Sequence, residues 1–151
     1  MKVLFLDIDG VLTSHASCAK DKVLVEWQLP EERLVDDFDV NCVQSLKDII
    51  NKTNANIVIS SAWRKLFGIN TLIKHLNKYG ITNIIGATPE LIDYRGNEIQ
   101  AWLNENKDVD KFVILDDNDD MLHLSKYLVQ TNWKIGLEEC QAKLAIEVLN
   151  S

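Results

Sequence analysis

The chain has 151 residues, enough for one domain with a real core, and its 46 % hydrophobic and 26 % charged residues are those of an ordinary globular protein. A net charge of −7 works against a broad polyanion-binding surface, and no apolar run approaches the roughly 20 residues needed to cross a bilayer. The three cysteines, Cys18, Cys42 and Cys140, are odd in number and widely spaced without a CxxC pair, which argues against a disulfide framework or a zinc site. Cys42 and Cys140 lie in helix-like stretches and read as small buried apolar residues.

Val3-Leu4-Phe5-Leu6 is an apolar run bounded by a turn signal and reads as a strand covered on both faces, as in a parallel sheet. Asp7 and Asp9 follow it. With a side-chain period of two they leave the strand end on one side, and Gly10 permits the tight turn beyond. Two acids facing each other at the rim of an apolar sheet repel, so the pair needs a shared proton or a bound cation. Met1-Lys2-Val3 passes directly into this strand, and a cleaved leader would remove the acids with it, so a cytoplasmic protein without a membrane partner is expected.

Residues 13–39 are of mixed character, with no clear period until Lys22-Val23-Leu24-Val25-Glu26-Trp27. So long a loop in a compact domain is expected to cover something, either as a short lid or small cap or as a plain surface excursion. His15 within it is a loop histidine, more in keeping with solvent than with chemistry. A helix starts near Asp39, with Asp39 or Asn41 as cap, and carries Val43, Leu46, Ile49 and Ile50 at helical spacing to about Lys52. Ile57-Val58-Ile59 is a second buried strand, so the chain opens as an α/β sheet.

That strand ends in Ser60-Ser61-Ala62-Trp63-Arg64. A hydroxyl at such a strand end can donate to a phosphate oxygen; Ser60 is the first choice and Ser61 the alternative. Arg64 could clamp a phosphate bidentately or pair with a helix-borne acid. Trp63 reads as core. Leu66 to Tyr79 is a helix closed by Gly80, with His75 exposed among lysines, and Ile81 to Ile85 is a short strand ending at Gly86. Residues 95–103 carry a helical stripe of Ile99, Trp102 and Leu103. Phe112-Val113-Ile114-Leu115 is a further buried strand, followed at once by Asp116-Asp117-Asn118-Asp119-Asp120. An EF-hand loop is excluded there, because the required Gly at position six and Glu at position twelve are absent. Met121 to Leu128 reads as a short helical stretch, Leu128 to Thr131 as an edge strand, and Cys140 to Leu149 as a closing helix that packs Leu144, Ala145, Val148 and Leu149.

Taken in order, the apolar strand with Asp7-Ile8-Asp9-Gly10-Val11, the strand-end serine, Arg95 ahead of a helix and the strand-end Asp116-Asp117 resemble the four motifs of the haloacid dehalogenase superfamily of phosphotransferases. The SSxWR form is similar to modules of RNA-repair proteins and polynucleotide-end phosphatases of small-cap type. The resemblance implies a three-layer Rossmann-like parallel sheet in a single domain over 1–151, with 13–39 as the cap insertion. It implies Asp7 as nucleophile and Asp9 as general acid and base. Mg2+ would lie between Asp7, the backbone carbonyl of residue 9, Asp116 and Asp117, with Asp120 as an outer ligand and Asp119 in solvent. Ser60 or Ser61, with Arg64 and Arg95, would bind phosphoryl oxygens; Lys111 competes with Arg95 but precedes its strand, whereas such chemistry belongs at the carboxyl ends.

The activity implied is Mg2+-dependent hydrolysis of a phosphomonoester through an aspartyl-phosphate, on a nucleotide or nucleic-acid end, a phosphometabolite or a phosphoprotein. A phosphomutase or other phosphotransferase would use the same residues and differ in water exclusion. A receiver-like signalling domain would carry its phosphorylated Asp on a central strand rather than on the first.

Overall fold

Side-chain alternation along short parallel strands decides the layers. The computed structural model describes residues 1–18 and 38–151. Its strands β1 (Lys2–Leu6), β2 (Asn56–Ile59), β3 (Ile84–Ala87), β4 (Lys111–Asp116) and β5 (Leu128–Gln130) form one sheet in the order β3-β2-β1-β4-β5, with every neighbouring pair parallel. Leu4, Leu6, Ile57, Ile59, Val113 and Leu115 point to one face. There they meet α2 (Val40–Thr53), α4 (Ile69–Lys78) and α6 (Glu139–Asn150) through Leu46, Ile49, Leu72, Leu76, Ala145 and Leu149. Val3, Phe5, Val58 and Ile114 point to the other face and pack on Ile99 of α5 (Arg95–Glu105) and on Leu124 of a 3-10 turn, Leu122–Tyr127. Strands covered by helices on both sides are apolar at every position, which explains why β1 and β4 read as continuous hydrophobic runs.

Two shorter helices, α1 (His15–Cys18) and α3 (Trp63–Phe67), sit beyond the carboxyl ends of β1 and β2. Asp39 caps α2, its carboxylate accepting the Asn41 backbone N–H at 2.9 Å, so the expected helix start is where the structure has it. A Glu138/Gln141 capping box starts α6. Among the described residues no helix is long and apolar enough to cross a membrane. Of the expected 13–39 insertion, residues 19–37, including Lys22–Trp27, lie outside the described residues.

Several local expectations change. The helix expected over 66–79 is broken at Gly68, whose φ of 78° no regular helix allows, into α3 and α4. The third strand begins at Ile84 rather than Ile81, and Gly86 pairs with Val58 inside it instead of ending it. His75 is buried, because it shares a helical face with Leu72 and Leu76 and packs edge-on to Phe38 at 5.1 Å. Cys42 is buried as expected, but Cys140 is exposed in the first turn of α6. That helix buries Ala142, Ala145 and Leu149, leaving Leu144 outside.

The first strand in sequence is the central strand in space, flanked by β2 on one side and β4 on the other. Connections run one way from β1 to β2 and β3 and then cross to β4 and β5, so a crevice opens between the carboxyl ends of β1 and β4, the position where doubly wound sheets place their ligands. Gly96 sets how closely α5 approaches the far side of that crevice: a Cβ there would stand 2.2 Å from the Met121 carbonyl oxygen. Gly96→Ala is therefore expected to destabilise the fold by roughly 1–3 kcal/mol through overpacking against backbone, read as a lowered urea midpoint.

Candidate active site

Register brings the acids together. Leu6 of β1 pairs with Leu115 of β4, so Asp7 and Asp116 are the next residues on adjacent parallel strands, and the Asp7 N–H donates to the Leu115 carbonyl at 3.0 Å. Both continue the parity of Phe5 and Ile114 and so face the α5 layer. Arg95, the first residue of α5, meets them there: its Nη1 donates to Asp116 Oδ2 at 3.0 Å and to Asp7 Oδ1 at 3.4 Å. The amino end of α5 adds its partial positive charge in the same place. It is tied to the acidic loop by Asp120, whose carboxylate accepts the Arg95 N–H and whose carbonyl accepts that of Gly96. Asp120, expected as an outer metal ligand, thus acts as a tether for the helix.

Asp7, Asp116 and Asp117 bring one carboxylate oxygen each to within 4.8 Å of one another. Asp7 and Asp116 are almost fully enclosed, and among the described residues the cation touching them is the single guanidinium of Arg95. Burial, followed by repulsion from Asp7, pushes Asp116 up to about 8, and burial raises Asp7 despite the attraction of Arg95. For Arg95 burial acts downward, but Asp116 and Asp7 together outweigh it and raise its pKa. Three carboxylates against one guanidinium form a hard, all-oxygen, electron-rich set that fits a divalent cation such as Mg2+. Gly10 makes room for this arrangement: its φ is 76°, and a Cβ would lie 2.5 Å from Asp117 Oδ2.

The carboxylate of Asp9 is not in that group. It lies at the rim, where its Oδ2 accepts the indole N–H of Trp63 at 2.8 Å. Burial and the neighbouring Asp7 raise its pKa, while the Trp63 hydrogen bond opposes them. Trp63 is core by burial, as expected, yet its polar tip is spent on the second acid of the motif. The clue in sequence is a tryptophan next to a strand end, since a buried indole N–H must find an acceptor.

The two serines divide. Ser60 Oγ is fully enclosed and, among the described residues, has no hydrogen-bond partner. The Ser61 hydroxyl instead stands near enough to Asp7 to oppose the rise of that carboxyl's pKa, and its oxygen accepts the Trp63 N–H at 3.2 Å. Ser61, the alternative choice, is the one turned toward the acids, because the strand ends after Ile59 and alternation no longer governs the side chains.

Arg64 is likewise turned inward. Its Nε donates to the Thr88 carbonyl, Nη1 to those of Ser60 and Ser61, and Nη2 to the Pro89 carbonyl and to the Glu98 carboxylate at 2.8 Å. All five guanidinium donors are used by the protein. A phosphate clamp is thus replaced by a lock joining β2, β3 and α5, the pairing with a helix-borne acid that the sequence also allowed. Lys111 is excluded by position, since it pairs with Lys2 at the amino ends of the strands. Asn118 donates its N–H to Asp116 Oδ1, and Asp119 is exposed.

Arg64→Ala is expected to cost roughly 3–5 kcal/mol, because the buried Glu98 would lose its closest cation, leaving only Lys65 at 3.6 Å and Arg95 at 3.9 Å among the described residues, and four carbonyls would lose their donor; urea unfolding measures it. The second expectation concerns pH. With Asp116 raised from 3.8 to about 8, the folded chain holds a proton that the unfolded chain has released, so this contribution is full below 3.8 and is lost as pH climbs through about 8. In chelator the melting temperature should fall across that window, and either Mg2+ or Asp116→Asn should flatten the slope.

No curated protein and no solved structure matches the chain significantly. A family model described as the HAD domain in Swiss Army Knife RNA repair proteins matches residues 3–142 and so takes in all of these acids and, but for Lys2, all five strands. The chain belongs to this family of haloacid-dehalogenase-like domains.

Proposed function

We propose that this chain is a Mg2+-dependent phosphomonoester hydrolase that works through an aspartyl-phosphate on Asp7. The observation that carries the reading is the meeting of Asp7, Asp116 and Asp117 beside Arg95 at the carboxyl ends of β1 and β4. Asp7, Asp116 and Asp117 would hold the ion, with the backbone carbonyl of residue 9 as the resemblance implies. When bound, Mg2+ supplies positive charge that offsets the repulsion between a carboxylate and a phosphate monoester.

The remaining work falls to the chain's own residues. Arg95 fixes the Asp7 carboxylate, and Arg95 and the nearby Ser61 hydroxyl would donate to phosphoryl oxygens. A carboxylate oxygen of Asp7 attacks phosphorus, and the ester P–O bond breaks with its electron pair on the leaving oxygen. Asp9, held by Trp63 at the rim and raised toward its protonated form, gives that oxygen a proton. The Asp9 carboxylate then takes a proton from water, whose oxygen attacks phosphorus. The bond to Asp7 breaks, releasing inorganic phosphate and restoring both carboxyl groups.

The family description places such domains in RNA repair proteins, so a phosphorylated polynucleotide end is the first alcohol to test. The net charge of −7 favours recognition of a short end over a long polyanion track.

Phosphate release from p-nitrophenyl phosphate with Mg2+ is the direct assay. Asp7→Asn should lower kcat by roughly 10^4-fold or more, and Ser61→Ala by about 10- to 100-fold. Ser60→Ala, which removes an enclosed hydroxyl with no partner among the described residues, should leave turnover within about twofold and stability the same or better. Turnover that survives in Asp7→Asn defeats the reading.

A further inference from the structure

Beside the acids lies a cavity of about 290 Å3 whose walls include Asp9, Asp117, His15 and Trp133. Because Asp9 is the group that would protonate the leaving oxygen, this is the side on which the leaving group must sit. The inference therefore rests on the hydrolytic reading above. Trp133 is 55 % exposed, and its ring stands edge-on to His15 with centroids 6.0 Å apart.

The loop that presents Trp133 is stapled to the turn that follows Asp9. Thr131 Oγ1 donates to the Gly10 carbonyl at 2.6 Å, the His15 N–H to the Lys134 carbonyl at 2.8 Å, and the Leu137 N–H to the Val11 carbonyl at 2.8 Å. Within the loop Asn132 bridges Gly136, and a Cβ at Gly136 would strike Cys42 Sγ and the carbonyls of Thr13 and Val11. A large apolar ring is thus held open to solvent by a rigid support registered on the catalytic turn. The described residues of the adjoining wall include no lysine or arginine to pair with an anion, and Asp9 carries the proton it is to deliver while Asp117 faces the ion, so the part of a leaving group lying there is neutral. A flat, neutral and polarizable group satisfies both walls.

We propose that Trp133 is a stacking shelf for an aromatic ring carried by the leaving group, so that the favoured substrates are phosphomonoesters of ring-bearing alcohols, nucleosides or aryl alcohols. Lys134, with Nζ 5.5 Å from the Trp133 ring centroid, already uses the ring as a cation–π partner.

The test compares kcat/KM with Mg2+ for p-nitrophenyl phosphate, a nucleoside 3′-monophosphate and ring-free glycerol 2-phosphate. The quantity read is the ratio of each ring-bearing substrate to glycerol 2-phosphate. The wild-type chain should prefer a ring-bearing substrate, Trp133→Ala should reduce that ratio roughly five- to a hundredfold through KM, and Trp133→Phe should retain most of it. Trp133→Gln replaces the alanine variant if the latter does not fold. The larger fall between the nucleoside and nitrophenyl ratios tells which ring the shelf prefers. A wild-type chain indifferent to the ring, or a ratio that Trp133→Ala leaves within twofold, overturns the shelf while hydrolysis stands. Failure of the wild-type chain to release phosphate from any of the three removes the hydrolytic reading itself.

Discussion

The arrangement depends on two buried carboxylates, Asp7 and Asp116, that neighbouring strands bring together against one guanidinium. Folding alone gains nothing from this: enclosing two like charges at the end of an apolar sheet is costly, and Arg95 offsets only part of that cost. The site is stabilised elsewhere, by the two hydrophobic layers that cover the sheet, and it is therefore a place where the fold holds charge ready for a ligand. A cation and a phosphate group complete that charge balance in opposite senses, which is the electrostatic basis of the proposed chemistry.

Around this pair the chain devotes much structure to orientation. Arg64 spends its whole guanidinium on four carbonyls and Glu98, and Glu98 also lies 3.9 Å from Arg95 Nε. The lock that joins β2 and β3 to α5 is thus continuous with the residue that faces the acids. On the other side Trp63 orients Asp9, and Gly10 keeps clear the space that Asp117 needs. Substitution at these supports would act on the acids through geometry, Trp63 and Gly10 by direct contact and Arg64 through Glu98.

Much of the fold was legible in the residues. Continuous apolar runs at Val3–Leu6 and Phe112–Leu115 announced strands covered on both faces, and Asp39 announced the start of α2. The departures share a cause: local pattern carries a helix through Gly68, ends a strand at Gly86 and exposes His75, whereas a positive φ, a strand pairing and a shared buried face decide them. The contrast drawn with a receiver-like domain also loses its spatial basis, since the first strand is itself the central one.

For the site, sequence by itself determined which residue types stand at strand ends: the acids at 7, 9, 116 and 117, the serine pair, and an arginine opening a helix. Such features are local, set by hydrophobic period and turn chemistry within a few residues. Only the tertiary structure decided that Asp7 and Asp116 share one crevice, that Ser61 rather than Ser60 faces them, and that Arg64 turns inward while Arg95 turns toward the acids. Those outcomes depend on strand register, on parity beyond the last paired residue and on competition for hydrogen-bond partners, all of which are properties of segments that meet only when the sheet closes.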